Sequence, residues 1–407
     1  MQRTVLALVL LLCVPGAGAE ELTFTTWNLL NYPGGDGLAR APHFRTVLTQ
    51  VAPDILVVQE IQTETGVAHF LTHVLGQIEP GAWTSGPFHN GYDTDRALFI
   101  RAGCVEVVAS GWLSTALRTI DWWHLYWPAT GEEFRVYTLH LKASQGYEQQ
   151  RLAECTILRT ALAGLDEGLP FLVAGDYNIY TATEPAYQHL TAEGPGRLFD
   201  PIDQEGHWHD NPAYAAIHTQ STRTTSFGGG ATGGMDDRFD LILVAAELLD
   251  GSGLEILPDT YTAFGNDGAH FNQSIIENGN AAVPYEVAEA LHLSSDHLPV
   301  FALLRAGPTA DLVWLPPSTR LSVGPNPASG PTTLRFTLGS SDPAALGIYD
   351  AAGRLVGRWP GAGRAGTHEW VWNGGGADGR PAGPGVYYAR LAGGGGTSVA
   401  RIVRIGD

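Results

Sequence analysis

Lysine is nearly absent. Lys142 is the single lysine in 407 residues, and Lys plus Arg total 23 against 42 Asp plus Glu. A surface that tracks a nucleic-acid backbone displaces counterions with cationic side chains, so this composition argues against a processive or tightly clamping DNA binder. It leaves room for an enzyme that meets one phosphate at a time through a bound cation. Cysteine is scarce as well: Cys13, Cys104 and Cys155 lie too far apart for a disulfide-stapled miniprotein or a thiolate zinc site. Cys104 and Cys155 could pair in an oxidising compartment, and two isolated buried thiols are at least as well supported. Beyond the N-terminus no apolar run is long enough to cross a bilayer as a helix. With 44% hydrophobic and 16% charged residues the chain is globular rather than disordered, and its length suits two or three domains.

The negative charge is unevenly placed. From Gly307 onward there are nine Arg against six Asp plus Glu, and before Glu20 only Arg3 is charged. The total of -19 therefore leaves -23 on residues 20–305. Residues 1–19 carry Arg3, an apolar run from Val5 to Val14 and the small-residue ending Ala17-Gly18-Ala19. That order is a secretory leader, so the expected location is secreted or cell-surface. A lipoprotein reading through Cys13 is weaker, because Leu12 stands where a small residue is wanted.

Between residues 20 and 305, short β-type runs recur: Leu22–Thr26, Ile55–Val58, Ala97–Ile100, Val105–Ala109, Phe134–Leu141, Phe171–Ala174, Leu241–Val244 and Leu298–Leu304. Apolar residues at three- and four-residue steps predict a helix from Tyr147 to Leu165. The runs are apolar throughout, as strands buried on both faces require. The expected class is α/β, followed by a stiff connector at 306–320 and, over 321–407, glycine-rich alternating segments that read as a small all-β sandwich. In that last part Gly324-Pro325-Asn326-Pro327, Ile348-Tyr349-Asp350, Gly353-Arg354-Leu355-Val356, Trp372-Asn373-Gly374 and Gly385-Val386-Tyr387-Tyr388 resemble the flagellar-hook-cap type of immunoglobulin-like domain. This module is also similar to type IX sorting domains. The resemblance implies a surface or sorting appendage, with secretion machinery or the cell surface as its partner.

Six polar fragments lie at or near the ends of apolar runs in the first domain: Thr26-Trp27-Asn28, Gln59-Glu60, Leu139-His140-Leu141-Lys142, Gly175-Asp176-Tyr177-Asn178, Arg238-Phe239-Asp240 and Ser295-Asp296-His297. Strand ends hold polar groups rigidly at a cleft. Any one of these fragments is an ordinary surface group; six in this order resemble the endonuclease/exonuclease/phosphatase superfamily. That resemblance implies a four-layer sandwich, two mixed sheets flanked by helices, and a divalent cation: Mg2+, with Mn2+ or Ca2+ as alternatives.

Phosphodiester hydrolysis needs a neutralised anion, an aligned water and a stabilised leaving oxygen. Glu60 is the best direct ligand for a hard cation that keeps several waters. By resemblance Asn28 and Asp296 complete its shell. Asp176 is expected to orient or deprotonate the water. Asn178 would point the same way as Asp176 if the backbone stays extended, and its amide would donate to the phosphoryl oxygen. Asp240 would fix the tautomer of His297, as base or as phosphate-binding acid. His140, where deoxyribonuclease-like members carry a histidine, would assist the leaving oxygen. Lys142 and Arg96 are candidates for touching substrate phosphate, although an Arg before a strand is usually solvated.

Three loops carry weaker signals. His207-Trp208-His209-Asp210 could hold a second cation, with a polar surface loop the plainer reading. His218 to Arg223 with Gly228-Gly229-Gly230 could face substrate, and Asn266-Asp267-Gly268 is by default a turn. The expected activity is an exported phosphodiesterase, foremost a nuclease with nucleic acid as a transient substrate. One alternative is a phospholipid-headgroup or small phosphodiester hydrolase, with Trp122-Trp123-His124-Leu125-Tyr126-Trp127 as a membrane wedge or as core. Another is a surface adhesin with an inactive hydrolase domain, against which every catalytic fragment is intact.

Overall fold

The computed structural model describes residues 20–306 and, apart from 325, 327, 339–343, 351–353, 360–365, 376–381, 384 and 394–395, residues 321–404. The leader and the connector from 307 lie outside the described residues. In chain order the first part runs β1 (Glu20–Tyr32), α1 (Gly37–Val51), β2 (Ile55–Ile61), α2 (Glu64–Phe70), α3 (Gly76–Ile78), β3 (Trp83–Ser85), β4 (Asp95–Arg101), β5 (Glu106–Leu113), β6 (Ile120–Trp127) and β7 (Glu132–His140). It continues with α4 (Glu148–Leu162), β8 (Phe171–Asp176), α5 (Pro185–Thr191), β9 (Asp240–Val244), β10 (Leu254–Ile256), β11 (Thr262–Ala263), α6 (Tyr285–Ser294) and β12 (Val300–Ala306).

Two mixed sheets result. One has the order β10-β12-β1-β2-β4-β3 with β11 on β12; the other is β5-β6-β7-β8-β9. β1 with β2 and β7 with β8 are parallel pairs inside otherwise antiparallel sheets. The two-residue pleat explains the unbroken apolar runs. Phe24, Ile55, Val57, Val136, Leu172 and Ala174 project into the core between the sheets. Their strand neighbours Trp27, Leu56 and Val58 meet α1, α2 and α6, while Val173 and Leu243 meet α4 and α5. Three cores between four layers are the expected sandwich.

The tryptophan-rich run is β6. Trp123, Leu125 and Trp127 are buried between the sheets, and Trp122 lies under the Arg135 guanidinium, 4.5 Å from its centroid. It is core and offers no membrane wedge. Among the described residues no helix is long and apolar enough to cross a membrane. Cys104 and Cys155 are both free, which removes the disulfide alternative.

Arg238 closes the second sheet. Its guanidinium holds Asp200 through two bonds of 2.7 and 3.0 Å, with both side chains almost fully buried. Arg238→Ala would leave a buried carboxylate uncompensated, so we expect a loss of about 3–5 kcal/mol, read from the urea midpoint.

The C-terminal part forms β13 (Ser322–Gly324), β14 (Thr332–Leu338), β15 (Ala344–Asp350), β16 (Leu355–Arg358), β17 (Gly366–Trp372), β18 (Gly385–Gly393) and β19 (Gly396–Arg404). The sheets β13-β14-β17 and β16-β15-β18-β19 enclose a core that includes Leu334, Phe336, Ile348, Trp372 and Ile402. This is the expected all-β sandwich.

Candidate active site

The ends of β1, β2, β7 and β8, the start of β9 and the turn before β12 meet at one edge of the sandwich. Here the strands leave regular geometry. The β1–β2 register shifts between Asn28 and Tyr32, and the β2–β4 register between Gln59 and Ile61. Leu30, Asn31 and Glu60 take left-handed φ angles of 50°, 49° and 61°. Bulges of this kind re-aim a side chain, and here they turn the Glu60 carboxylate back onto β1. It accepts from the Asn31 backbone N–H at 2.8 Å and from Asn28 Nδ2 at 3.1 Å. Gly175, with φ 145°, lets β8 press on β7 just before Asp176; a Cβ there would lie 2.1 Å from the Leu139 carbonyl oxygen.

Asp176 is the hub. Its Oδ2 accepts from Asn28 Nδ2 at 3.1 Å and faces His140 Nε2 at 3.4 Å and His297 Nε2 at 3.6 Å. Burial raises its pKa to about 7, with Asp240 and Glu60 pushing the same way and His297 opposing. His297 Nδ1 bonds Asp240 Oδ2 at 2.7 Å, and the Gln220 amide sits 2.5 Å from its Nε2. Burial works against charge on this imidazole. Asp240, Asp176 and Asp296 outweigh it and hold the pKa well above the ordinary value. His140 is the opposite case: burial, then the charges of Arg118 and His297, keep it well below its ordinary value. Two histidines whose pKa values are pushed in opposite directions thus flank one carboxylate, the arrangement an acid–base site needs.

The expected ligand group fits a hard cation with one change. Glu60 is pushed upward by burial and then by Asp296, so two carboxylates converge, which is the donor type magnesium selects. Asn28, however, turns its amide nitrogen to Glu60 and Asp176, while its Oδ1 accepts from Leu30 N at 3.0 Å. It clamps the two acids together instead of offering them a third oxygen. Asp296 Oδ2 accepts from Ala231 N at 2.6 Å, and Gly230 passes so close that a Cβ would lie 2.6 Å from that oxygen. Gly230→Ala is therefore expected to weaken cation binding about tenfold by displacing Asp296, measured by calorimetric titration with Mn2+, without loss of the folded circular-dichroism spectrum.

Glu60, His140, Asp176, Asn178, Asp296 and His297 line a cavity of about 360 Å³, and Asp240 and Asn28 stand behind it. Asn178 reaches the cavity by a different route from the one expected. Its φ is 51°, its N–H donates to Asp176 Oδ1 at 3.1 Å, and its side chain donates to the Leu141 carbonyl at 3.3 Å. A turned backbone, not an extended one, brings it beside Asp176.

The two candidate substrate cations are corrected. Lys142 lies beyond β7, with its ammonium on the Ala143 carbonyl at 2.9 Å and 4.0 Å from the Tyr147 ring centroid. It does not line the cleft. Arg96 is inside β4 and fully buried, neither solvated nor at the cavity, held by Thr94 O, Thr119 Oγ1 and Asp121. A cation that the fragments did not point to is Arg118, whose Nη2 pairs with Asp93 Oδ2 at 2.7 Å and whose charge, with those of Arg96 and Lys142, helps burial to lower the His140 pKa without lining the cavity. It stands in a loop between β5 and β6 with no motif to mark it.

The loop from His218 does face the cleft, through Gln220 and through Gly229, Gly230 and Ala231. Tyr180 and Phe239, edge to face at 4.9 Å, form an aromatic wall. Of the histidine-rich loop, His209 alone joins Asp236 and Asp237, with ligand atoms all within 4.8 Å. The Asn266 segment is a turn: Asp267 accepts from Ala269 N, Ala281 N and His270 Nδ1.

Paired carboxylates and opposed histidines at the edge of a four-layer sandwich define a phosphoester hydrolase site. A model of the Endonuclease/Exonuclease/phosphatase family matches residues 25–342, and the chain belongs to that family. Residues 326–396 match the FlgD Ig-like domain. No match was found among curated proteins. Solved structures with a similar fold include an endonuclease/exonuclease/phosphatase family protein from Bacteroides thetaiotaomicron, at 20% identity over 71% of this chain and 99% of that one, TM-score 0.45. Others are D. rerio TDP2 complexed with single strand DNA product, at 14% identity over 70% and 98%, TM-score 0.48, and a Bacteroides thetaiotaomicron mannosyl-6-phosphatase, at 19% identity over 70% and 99%, TM-score 0.44.

Proposed function

We propose that this chain is an exported, divalent-cation-dependent phosphodiester hydrolase that takes one exposed phosphodiester at a time, in a small molecule rather than along a nucleic-acid duplex. The observation that supports this most is Asp176 Oδ2 held between His140 Nε2 at 3.4 Å and His297 Nε2 at 3.6 Å, with the His140 pKa pushed down by burial and the His297 pKa pushed up, against burial, by Asp240 and Asp176. A divalent cation on Glu60 and Asp296 would neutralise charge at a phosphoryl oxygen. Asp176 takes the proton of the attacking water. His297, braced by Asp240, donates from Nε2 to a phosphoryl oxygen that takes the place of the Gln220 amide, which lies 2.5 Å from that nitrogen. His140 hydrogen-bonds the departing oxygen, which takes up a proton from water as it leaves and so balances the proton passed to Asp176.

The small-molecule preference follows from charge. The catalytic domain carries -23, and neither Lys142 nor Arg96, the two cations expected to meet a substrate phosphate, lines the cavity. A nuclease is the second reading, favoured by His140 beside Asp176 and by the aromatic wall of Tyr180 and Phe239, on which a base can stack. Comparing kcat/KM for bis(nitrophenyl) phosphate, single-stranded DNA and RNA tests the choice. The proposal expects the small diester to be preferred, and a polymer preferred by tenfold or more would contradict it. Export rests on the leader, and surface attachment on the C-terminal sandwich. Cell fractionation with and without residues 1–19 tests the former, expecting the full chain outside the cytoplasm and the truncated chain inside.

A further inference from the structure

The segment from Thr219 to Thr222 gives the catalytic cavity one lining residue, Gln220. Its backbone is held on both flanks. Gln220 N donates to Asp237 O at 3.1 Å, and Gln220 O accepts from Asp236 N at 2.9 Å and from Asp237 N at 3.0 Å. On the other flank Thr219 O accepts from Leu298 N at 2.8 Å, and Thr222 N donates to Asp296 O at 3.1 Å. Gln220 is thereby bridged both to Asp237 and to His297. A segment pinned this way opens as a unit only by breaking several backbone hydrogen bonds together. Movement at position 220 is therefore rotation of the side chain.

That side chain is half-buried. Among the described residues its amide has one hydrogen-bond partner, His297 Nε2 at 2.5 Å. The other ring nitrogen, Nδ1, is taken by Asp240 at 2.7 Å, and Nε2 faces Asp176 Oδ2 at 3.6 Å. A substrate oxygen bonded to Nε2 must stand within about 3 Å of it, in the space that the amide fills. A terminal amide carries a donor and an acceptor, so it satisfies Nε2 with or without the ring proton. It also adds no charge to a cavity already lined by Glu60, Asp176 and Asp296.

We propose that Gln220 is a positioning residue that caps His297 in the free protein and is displaced from Nε2 by the phosphoryl group of the substrate. This rests on the function proposed above. Its consequence is a binding cost, because each ligand that reaches Nε2 must first break the bond to the amide. An amide tethered at a fixed place competes better than a free water does. Removing it should therefore tighten phosphoryl binding. A residue that donated to the phosphoryl group, or that only supported the fold, would give the opposite sign or none.

The test is calorimetric titration of the purified chain, in saturating Mg2+, with dimethyl phosphate, a diester with no good leaving group. We expect saturable binding, about threefold tighter in Gln220→Ala and about tenfold weaker in Gln220→Glu, where a carboxylate of the same length pairs with the imidazole and repels the ligand. The half-buried side chain and the pinned backbone let Gln220→Ala fold, checked by circular dichroism; if Gln220→Glu does not fold, Gln220→Ala decides alone. With bis(nitrophenyl) phosphate, the effect of Gln220→Ala should fall on KM, lowered about threefold, more than on kcat. Unchanged or weaker binding of dimethyl phosphate in Gln220→Ala, or no binding by any of the three proteins, would overturn the cap. Hydrolysis with the same KM in Gln220→Ala and the unsubstituted protein overturns the cap and retains the hydrolase reading. The expected binding pattern without hydrolysis retains the cap and removes the hydrolase reading.

Discussion

His297→Ala lowers kcat at least about a hundredfold. The imidazole is 2% exposed, and its pKa is held high by Asp240 at 2.7 Å and by Asp176 and Asp296 despite the opposing effect of burial. It is the group best placed to present a proton to a phosphoryl oxygen. Its removal also leaves Asp240 buried without its partner, so folding must be verified by circular dichroism before rates are compared. Asp240→Asn should give an intermediate loss, because the imidazole stays while its charge and tautomer are less well fixed. Near-normal turnover in folded His297→Ala would remove this residue from the chemistry.

Glu60→Ala is expected to lower turnover by at least about a hundredfold as well, but by another route. Glu60 sits on a bulge with φ 61° and takes hydrogen bonds from Asn31 and Asn28, so its carboxylate is fixed in advance of any ligand. Its loss should appear first as weaker cation binding, with the midpoint of Mn2+ activation moved upward by about ten- to a hundredfold. His297→Ala should leave that midpoint nearly unchanged. The pair of variants therefore separates cation holding from proton handling, and a shared shift in both would contradict the division of roles.

The strands were legible because burial on both faces leaves an apolar run with little else to mean. Phe24 and Trp27, on opposite faces of β1, meet different cores. The catalytic fragments were legible because they sit where those runs stop. Two things were not. The bulges that aim Glu60 and the turned backbone at Asn178 are local departures from strand geometry, and residue type alone does not announce them. The destinations of long cationic side chains depend on distant partners: Arg96 is claimed by Thr119 and Asp121 from a neighbouring hairpin, and Lys142 by Tyr147 in the following loop. Arg118 gave no signal for the same reason. The Trp122–Trp127 segment was ambiguous in sequence, since a core strand and an exposed wedge share one composition, and pairing with β5 and β7 decides for the core.

The most direct test of the central claim is hydrolysis of bis(nitrophenyl) phosphate by the purified chain from residue 20 onward, with Mg2+, with Mn2+ and with chelator, alongside His297→Ala. The account predicts turnover that requires the cation, is abolished by chelator, and falls at least about a hundredfold in the variant. Turnover that persists in chelator, or that His297→Ala retains in full, would contradict it.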